Sequence, residues 1–441
     1  MADFSTDAAR ALAGPVWLSD RRAYAAAEFA SMPPPDATDE EWRYSAIQEF
    51  DLSEFALLSD VRGAEATPSG MGDNVLGDAG AVIRTANGRI SSIEVDDELA
   101  AAGVYVGPLA ASGQGSAQLG AVSADATDYF TVLNDAFAVE PLLIHVPAGV
   151  VLRKPIVVTH HLSGNRGAAF PRLVVHVGAD AQAEVLDYHT SAQGSLLACP
   201  VTELDVASAG RLSYLNVQQL GTETWQFSSH LARAERDASL TASTAAFGGG
   251  YARTRSDVRL VGRGANCDLL ALYFGDGNQG LDFRTYQDHV APDTTSNLLY
   301  KGVVSDAARS IYTGLIRVRP EARGTNAFQT NRNLKLGDKA WVESVPNLEI
   351  ENNDVRCSHA SAVGPVDTEQ QFYLESRGVR SSEAERLIVA GFLEEVLESL
   401  PVAAVRETLR HQIDAKLSQH VEHVEHVELD ELVENTELGG G

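Results

Sequence analysis

Between about Leu142 and Val355 apolar residues alternate with polar ones in short runs, as in Leu173-Val174-Val175-His176-Val177, Ala183-Glu184-Val185-Leu186 and Leu212-Ser213-Tyr214-Leu215. Turn residues separate the runs at regular intervals. A period of two broken by frequent turns is the chemistry of short strands. Aligning the turns exposes a repeat. Asp180-Ala181-Gln182, Ala209-Gly210-Arg211, Asp237-Ala238-Ser239 and Gly264-Ala265-Asn266 each introduce an alternating run, with their central small residues 29, 28 and 27 positions apart. The pattern resumes at Ala308, Ala322 and Ala340, at intervals of 14 and 18. A small residue at a turn, followed by alternation at a near-fixed spacing, predicts stacked coils. Each coil buries its inward face against the next, so stability comes from stacking. A β-helix or solenoid fits this pattern better than a sandwich.

The flanks read differently. Residues 5–30 are Ala-rich and predict helix, broken at Gly14-Pro15, anchored by Leu12, Val16, Tyr24 and Phe29, and ended by Pro33-Pro34-Pro35. Glu40 to Tyr44 predicts the start of another helix. Residues 63–80 are rich in Gly, Ser and Asp and predict a loop. Ala81–Arg84 and Arg89–Val95 predict two strands around Asn87-Gly88, a hairpin-turn pair. Residues 124–139 return to helix, with Phe130, Leu133 and Phe137 on one face. After Asp367 the helical period returns: Phe372, Leu374, Leu387, Ile388, Phe392, Leu393, Val396 and Leu397 recur at helical spacing across 369–399, Arg377 and Gly378 suit a turn between helices, and Pro401 is the stop.

Composition narrows the function classes. The 441 residues carry 34 Lys plus Arg against 61 Asp plus Glu, a formal charge of -27. Such a surface repels phosphate backbones and anionic headgroups, so neither nucleic acid nor a membrane surface is an expected partner. From Asp367 onward 17 acids face 6 bases, and the end carries a His-Val-Glu repeat of period three. The amino-terminal residues show neither a basic region nor an apolar one, so no signal peptide is expected. The most apolar stretch, Leu142 to Val158, is interrupted by His145, Arg153, Lys154 and two prolines, which argues against a transmembrane helix. Three cysteines, Cys199, Cys267 and Cys357, are too few and too scattered for a disulfide scaffold or a four-cysteine iron–sulfur site, and suit a reducing cytoplasm.

Several motifs read more simply as structure than as chemistry. Gly275-Asp276-Gly277-Asn278-Gln279-Gly280 matches G-x-G-x-x-G, but a strand-like run follows it where a dinucleotide site requires a helix. It reads as a turn between coils, as does Gly248-Gly249-Gly250. No Walker-type phosphate loop is present. His420, His423 and His426 drift around a helix and read as a solvated tail. Asp276 and Asp282 form an acid pair of the kind used in glycoside chemistry, but also of the kind common at acidic turns. Cys199 and Cys267 lie in apolar runs and read as buried small hydrophobes. Cys357 and His359 differ. Two apart in a strand, they point to one face. A thiolate beside an imidazole is a soft ligand pair or an activatable nucleophile, with a structural pair as the plain alternative.

From Asn326 to about Phe392 the chain resembles the SufB/SufD family of iron–sulfur cluster assembly scaffolds. The resemblance rests on the run Thr325 to Leu334 (TNAFQTNRNL), on Pro346-Asn347-Leu348-Glu349-Ile350 through Cys357-Ser358-His359 to Val363-Gly364-Pro365-Val366-Asp367, and on Gln371 to Val379 (QFYLESRGV). Weaker echoes lie at Ser296–Gly302, Val146–Val150 and Glu41–Tyr44. The Cys357-Ser358-His359 triplet is the SufD form. SufB-like members carry a cysteine in the strand matching Asn331–Lys339, and this chain has none there. Asn352-Asn353 and Ala360-Ser361 depart from the usual residues.

The resemblance implies a mainly β fold: a right-handed parallel β-helix core, residues 141–366, flanked by an α-helical N-terminal region with a short hairpin, residues 1–140, and a C-terminal helical region with an acidic tail, residues 367–441. It implies a non-catalytic scaffold subunit of a SufB–SufC–SufD complex in the cytoplasm. A SufB-like subunit would pair edge to edge with this chain. A SufC-like ABC ATPase would dock on helices at about 368–400 and carry the missing phosphate loop. Cys357 and His359 would stand as metal ligands at a transient iron–sulfur cluster site shared with the partner, with no cluster held permanently by this chain. The readings from other classes are a β-helix carbohydrate-active enzyme and a purely structural solenoid.

Overall fold

The computed structural model describes residues 4–58, 73–123 and 128–421. Its centre is a parallel β-solenoid of about eight turns. Two long sheets form the walls, and the chain alternates between them. One runs from Tyr105–Pro108 and Leu142–Val146 at one end to Trp341–Ile350 at the other. The second runs from the hairpin Ala81–Ala86/Arg89–Val95 through Ile156–Leu162 to Val355–Gly364. The predicted Asn87-Gly88 hairpin is present and antiparallel, and Ala81–Ala86 pairs in parallel with Ile156–Leu162, so the hairpin closes that end of the sheet. Tyr105–Pro108 closes the other sheet with an antiparallel pairing to Leu142–Val146. Among the described residues the opposite ends of both sheets, Trp341–Ile350 and Val355–Gly364, carry no further strand.

The repeat follows from register. In the second sheet Gln182, Arg211, Ser239, Asn266, Thr295, Asn326 and Arg356 form one column of partners, 27 to 31 residues apart. Two residues before each of the first six stands a left-handed corner: Asp180, Ala209, Asp237, Gly264, Asp293 and Gly324, with φ between 55° and 75°. Each corner N–H donates to the next coil, from Asp180 N to Ser208 O at 3.1 Å through to Gly324 N to Asp354 O at 2.7 Å. Gly, Asp and Asn tolerate this region best, which is why the turns carry them. The intervals of 14 and 18 are not a single repeat. Thr294 and Thr325, fully buried, take the place just after the corner that Ala181, Gly210, Ala238 and Ala265 hold in earlier coils, and their hydroxyls bond backbone and each other (Thr325 Oγ1 to Ala322 O, 2.8 Å). Ala308 and Ala340 belong to the opposite corner, before the paired residues Arg309 and Trp341.

Alternation sorts the strand residues into two layers. Ile83, Ile144, Val158, Val175, Val185, Leu204, Leu269 and Phe283 face the interior. The outer face of the second sheet, including Val157, Leu186, Leu215, Leu272 and Val303, is covered by Leu393, Val396 and Leu397 of the helix Ser381–Leu397 and by Leu409, Ile413 and Leu417 of a further helix over 406–421. Helices Val16–Phe29 and Tyr129–Phe137 cover part of the other side, where Phe130, Leu133 and Phe137 are buried as the spacing predicts.

Three expectations for the flanks are corrected. Val16 and Tyr24 are not anchors but are 77% and 74% exposed. The Gly14-Pro15 break restarts the helix at Val16, and its new phase buries Leu18, Ala25, Ala26 and Arg22 instead. Arg22 donates to the carbonyls of Ala138 and Val139 at 2.8 and 2.7 Å, and burial pulls its pKa down to about 10. Second, Glu40–Trp42 is a single 3-10 turn. Trp42 packs against the stacked rings of Phe130 and Phe227, with the Arg253 guanidinium 3.8 Å over its own ring, and Tyr44 turns the chain at φ 69°. Third, His420 is not solvated. It is buried in the last helix with Nε2 3.3 Å from Glu385. His423 and His426 lie outside the described residues. So does most of the expected loop at 63–80, whose described part includes a short helix, Asp73–Gly77.

Candidate functional site

Val355–Gly364 is the last strand of its sheet. One edge pairs with Thr325–Leu336, setting Cys357 opposite Ala327 and His359 opposite Gln329. Among the described residues no strand pairs with the other edge. In earlier coils nearly every inward residue is buried; here and in Trp341–Ile350 they are half-buried or exposed because no coil stacks above them. Cys357 and His359 therefore share the inward face of an open coil, as their spacing predicts. Cys357 is half-buried against Ile316, Val318, Ala322, Ala327 and Leu348, and His359 is exposed. Burial pushes the Cys357 thiol up, against a smaller opposing effect of a hydrogen bond at the Ala327 backbone. The thiol rests protonated, so it becomes a nucleophile or ligand only when a cation or base takes its proton.

A polar network lies beneath the pair that sequence reasoning did not single out. Ser361, two residues beyond His359, donates to Ser344 Oγ across the open coil at 2.8 Å. Ser344 donates to Asn331 Oδ1 at 2.9 Å, which also accepts from Asn333. Asn333 accepts from the Tyr273 hydroxyl at 2.6 Å. Gln329 donates to Tyr312, which contacts Thr285 at 3.0 Å. The signal was available in Gln329, Asn331 and Asn333. They are polar at alternate positions of a strand whose counterparts in the preceding coils include Leu298, Tyr300, Leu269 and Tyr273.

Below the open end, Asp367 caps the helix Thr368–Ser376, accepting from the Glu369 and Gln370 N–H groups. Arg377 and Gly378 (φ 88°) make the predicted turn into Ser381–Leu397. The second helix is tied to the solenoid: Lys301, buried, donates to Phe392 O at 2.9 Å and pairs with Glu395. The first helix buries no residue, and Phe372 and Tyr373 are 71% and 57% exposed. Leu387, 45% exposed, lines a groove with Leu334, Pro365, Leu374, Ile388 and Phe392 between the two helices and the solenoid.

The remaining motifs serve structure. Gly275 ends one strand and Gly280 begins the next, so that motif is a turn. Asp276 pairs with Lys416 at 2.7 Å, and Asp282 is buried between Arg253 and Tyr251, both at 2.7 Å. Cys199 and Cys267 are buried, and burial raises both thiols. No helix among the described residues is long and apolar enough to cross a membrane.

Residues 160–392 match the family model described as the SUF system FeS cluster assembly, SufBD core domain. The chain is 36% identical over 283 residues to an iron–sulfur cluster assembly SufBD family protein of Mycobacterium tuberculosis, covering 62% of this chain and 70% of the relative. It is 34% identical over 315 residues to a SufBD family protein of Mycobacterium leprae, covering 69% and 77%. To the iron–sulfur cluster assembly protein SufD of Escherichia coli it is 29% identical over 300 residues, covering 67% and 70%.

Proposed function

Because the chain belongs to the SufB/SufD family of the SUF iron–sulfur assembly system, and is SufD-like within it, we propose that it is a non-catalytic scaffold subunit whose open coil pairs with a SufB-like subunit. The observation that carries this reading is the end asymmetry of the solenoid. One end is closed by antiparallel strands, while among the described residues Trp341–Ile350 and Val355–Gly364 leave theirs unpaired. A long unpaired strand edge is a template for another chain's strand, and a monomer normally blocks it. Here the edge carries Cys357 and His359.

The nascent cluster is the cargo of this site. Cys357 would supply a thiolate and His359 a neutral imidazole, a donor set suited to iron. Two ligands leave most iron coordination positions open, so the partner strand and inorganic sulfide would complete the site and the cluster would stay transient. Iron would take the place of the Cys357 proton, which burial otherwise retains. Assembly should therefore weaken in acid. The exposed apolar surface of Phe372, Tyr373 and Leu387 would seat a SufC-like ABC ATPase, which would hydrolyse the ATP. This reading places the complex in the cytoplasm, where such a thiol stays reduced.

The test is anaerobic co-expression with SufB-like and SufC-like subunits, followed by iron and acid-labile sulfide analysis of the purified complex. Cys357→Ser and His359→Ala should each leave the complex assembled with reduced iron and sulfide. If both variants kept wild-type contents, the pair would be structural and the reading would fail. Failure of the subunits to co-purify would overturn the pairing.

A further inference from the structure

A second group of metal-ligating side chains lies inside the solenoid, away from the open end. His160 and His189 are register partners on adjacent coils, and Asp187 sits two residues before His189 on the same inward face. All three are buried, at most 2% exposed. His160 Nε2 lies 3.2 Å from Asp187 Oδ1, and His189 Nε2 lies 3.0 Å from the same oxygen. The two rings stack at 4.5 Å. Close as they are, neither ring nitrogen is aimed along a hydrogen bond to the carboxylate. Both Nε2 atoms and Oδ1 are left without a hydrogen-bond partner. Two ring nitrogens and a carboxylate oxygen, all within 4.8 Å of one another and buried with no hydrogen bond of good geometry among them, are costly unless a proton or a cation lies between them.

We propose that His160, Asp187 and His189 form a binding site for one divalent transition-metal ion, ferrous iron or zinc. The spacing fits. Ligand atoms on adjacent positions around a centre with bonds of about 2.1 Å stand roughly 3.0–3.4 Å apart. The donor set fits as well: two imidazoles and one carboxylate with positions left open is the arrangement of non-haem ferrous sites, and is also used by zinc. Two of the three ligands have the contacts that orient metal ligands, while His189 Nδ1 has no hydrogen-bond partner. His160 Nδ1 meets Thr85 Oγ1 at 2.7 Å. Asp187 Oδ2 accepts from the Tyr214 hydroxyl at 2.7 Å and from Thr202 Oγ1 at 3.4 Å. Charge points the same way. Among the described residues the ion-pair partners of Asp187 are the two imidazoles alone, so no Lys or Arg neutralises this buried carboxylate. A cation at the convergence point does so.

This site is independent of the open end. Register places the coil of His189 six steps from that of Val363, through Gln218, Ala246, Tyr273, Gly302 and Asn333. At about 4.8 Å per step that is roughly 29 Å. The ion would bind within one chain, with no residue of a partner.

The experiment uses the full chain, expressed with iron, zinc or cobalt supplement, purified anaerobically and analysed for metal. Wild type should carry about one ion per chain, and the double variant Cys357→Ser/His359→Ala should retain it. His189→Asn, checked for folding by circular dichroism, should bind at least about 100-fold more weakly, the upper end of what loss of a mere orienting partner costs. X-ray absorption of the cobalt-loaded wild type should show imidazole scattering and no sulfur, which tests the site even if His189→Asn does not fold. Wild type with sub-stoichiometric metal would overturn the inference, leaving a protonated-imidazole network. So would metal that survives His189→Asn in a folded protein, or sulfur in the coordination shell.

Discussion

The Ser361 hydroxyl donates to the Ser344 hydroxyl across the open coil at 2.8 Å, and so joins the last strands of the two sheets. Behind it Asn331 takes bonds from Ser344 and Asn333. Asn331 is thus the hub that shapes the floor beneath Cys357 and His359. Asn331→Ala should strip partners from buried groups and cost about 1–3 kcal/mol. A chemical denaturation midpoint close to that of wild type would show that the hub does not order this end.

Gly302 has a steric requirement. A Cβ there would stand 1.9 Å from the Tyr273 ring and 2.6 Å from Asn333 Oδ1. Both neighbours belong to the network just described. Gly302→Ala should destabilise by about 1–3 kcal/mol through overpacking and should disturb the Tyr273–Asn333 bond. A crystal structure of the variant with that bond at its wild-type 2.6 Å would contradict this.

His289 gives a pH dependence of defined sign. Burial lowers its pKa from 6.5 to about 4, and its ring is held neutral between Thr294 and Ser296. Between those values the unfolded chain binds a proton that the folded ring resists. Stability is fully present above about pH 6.5 and falls as pH drops toward 4. At about 1.4 kcal/mol per unit, the loss from this group approaches about 3 kcal/mol. His289→Gln should flatten that part of the stability profile; an unchanged slope would assign the acid sensitivity elsewhere.

Lys301 fastens the helix Ser381–Leu397 to the solenoid through Phe392 and Glu395. Lys301→Ala should loosen this attachment by about 1 kcal/mol, since Glu395 is largely solvated. Hydrogen exchange across 381–397 should then quicken about fivefold while the strands remain protected. Uniform exchange throughout the chain would mean that the helix and solenoid open together.

Phe372→Asp and Leu387→Asp act on exposed side chains. Each should change stability by no more than about 0.5 kcal/mol yet weaken capture of a SufC-like ATPase. Undiminished capture by both variants would move the docking surface elsewhere.

The sequence by itself determined the solenoid, because its cause is local and repeated. A left-handed corner needs Gly, Asp or a small residue, and two-layer strands need alternation, so each coil carries its own signature. It also marked Cys357 and His359 as sharing a face, since a period of two is a property of the strand alone. Tertiary structure decided the rest. Which of Val16, Leu18 and Tyr24 is buried depends on the phase of a helix restarted after Gly14-Pro15. That Thr294 and Thr325 replace the small residue after the corner, while Ala308 and Ala340 lie on the opposite side, depends on register between distant coils. The convergence of His160, Asp187 and His189 was invisible in sequence. Two of these residues stand only two apart, but the third lies nearly a full coil away, and only stacking brings its ring to 4.5 Å from the other. The open end was equally hidden, because whether a strand edge is paired is a property of the assembled sheet and not of its residues.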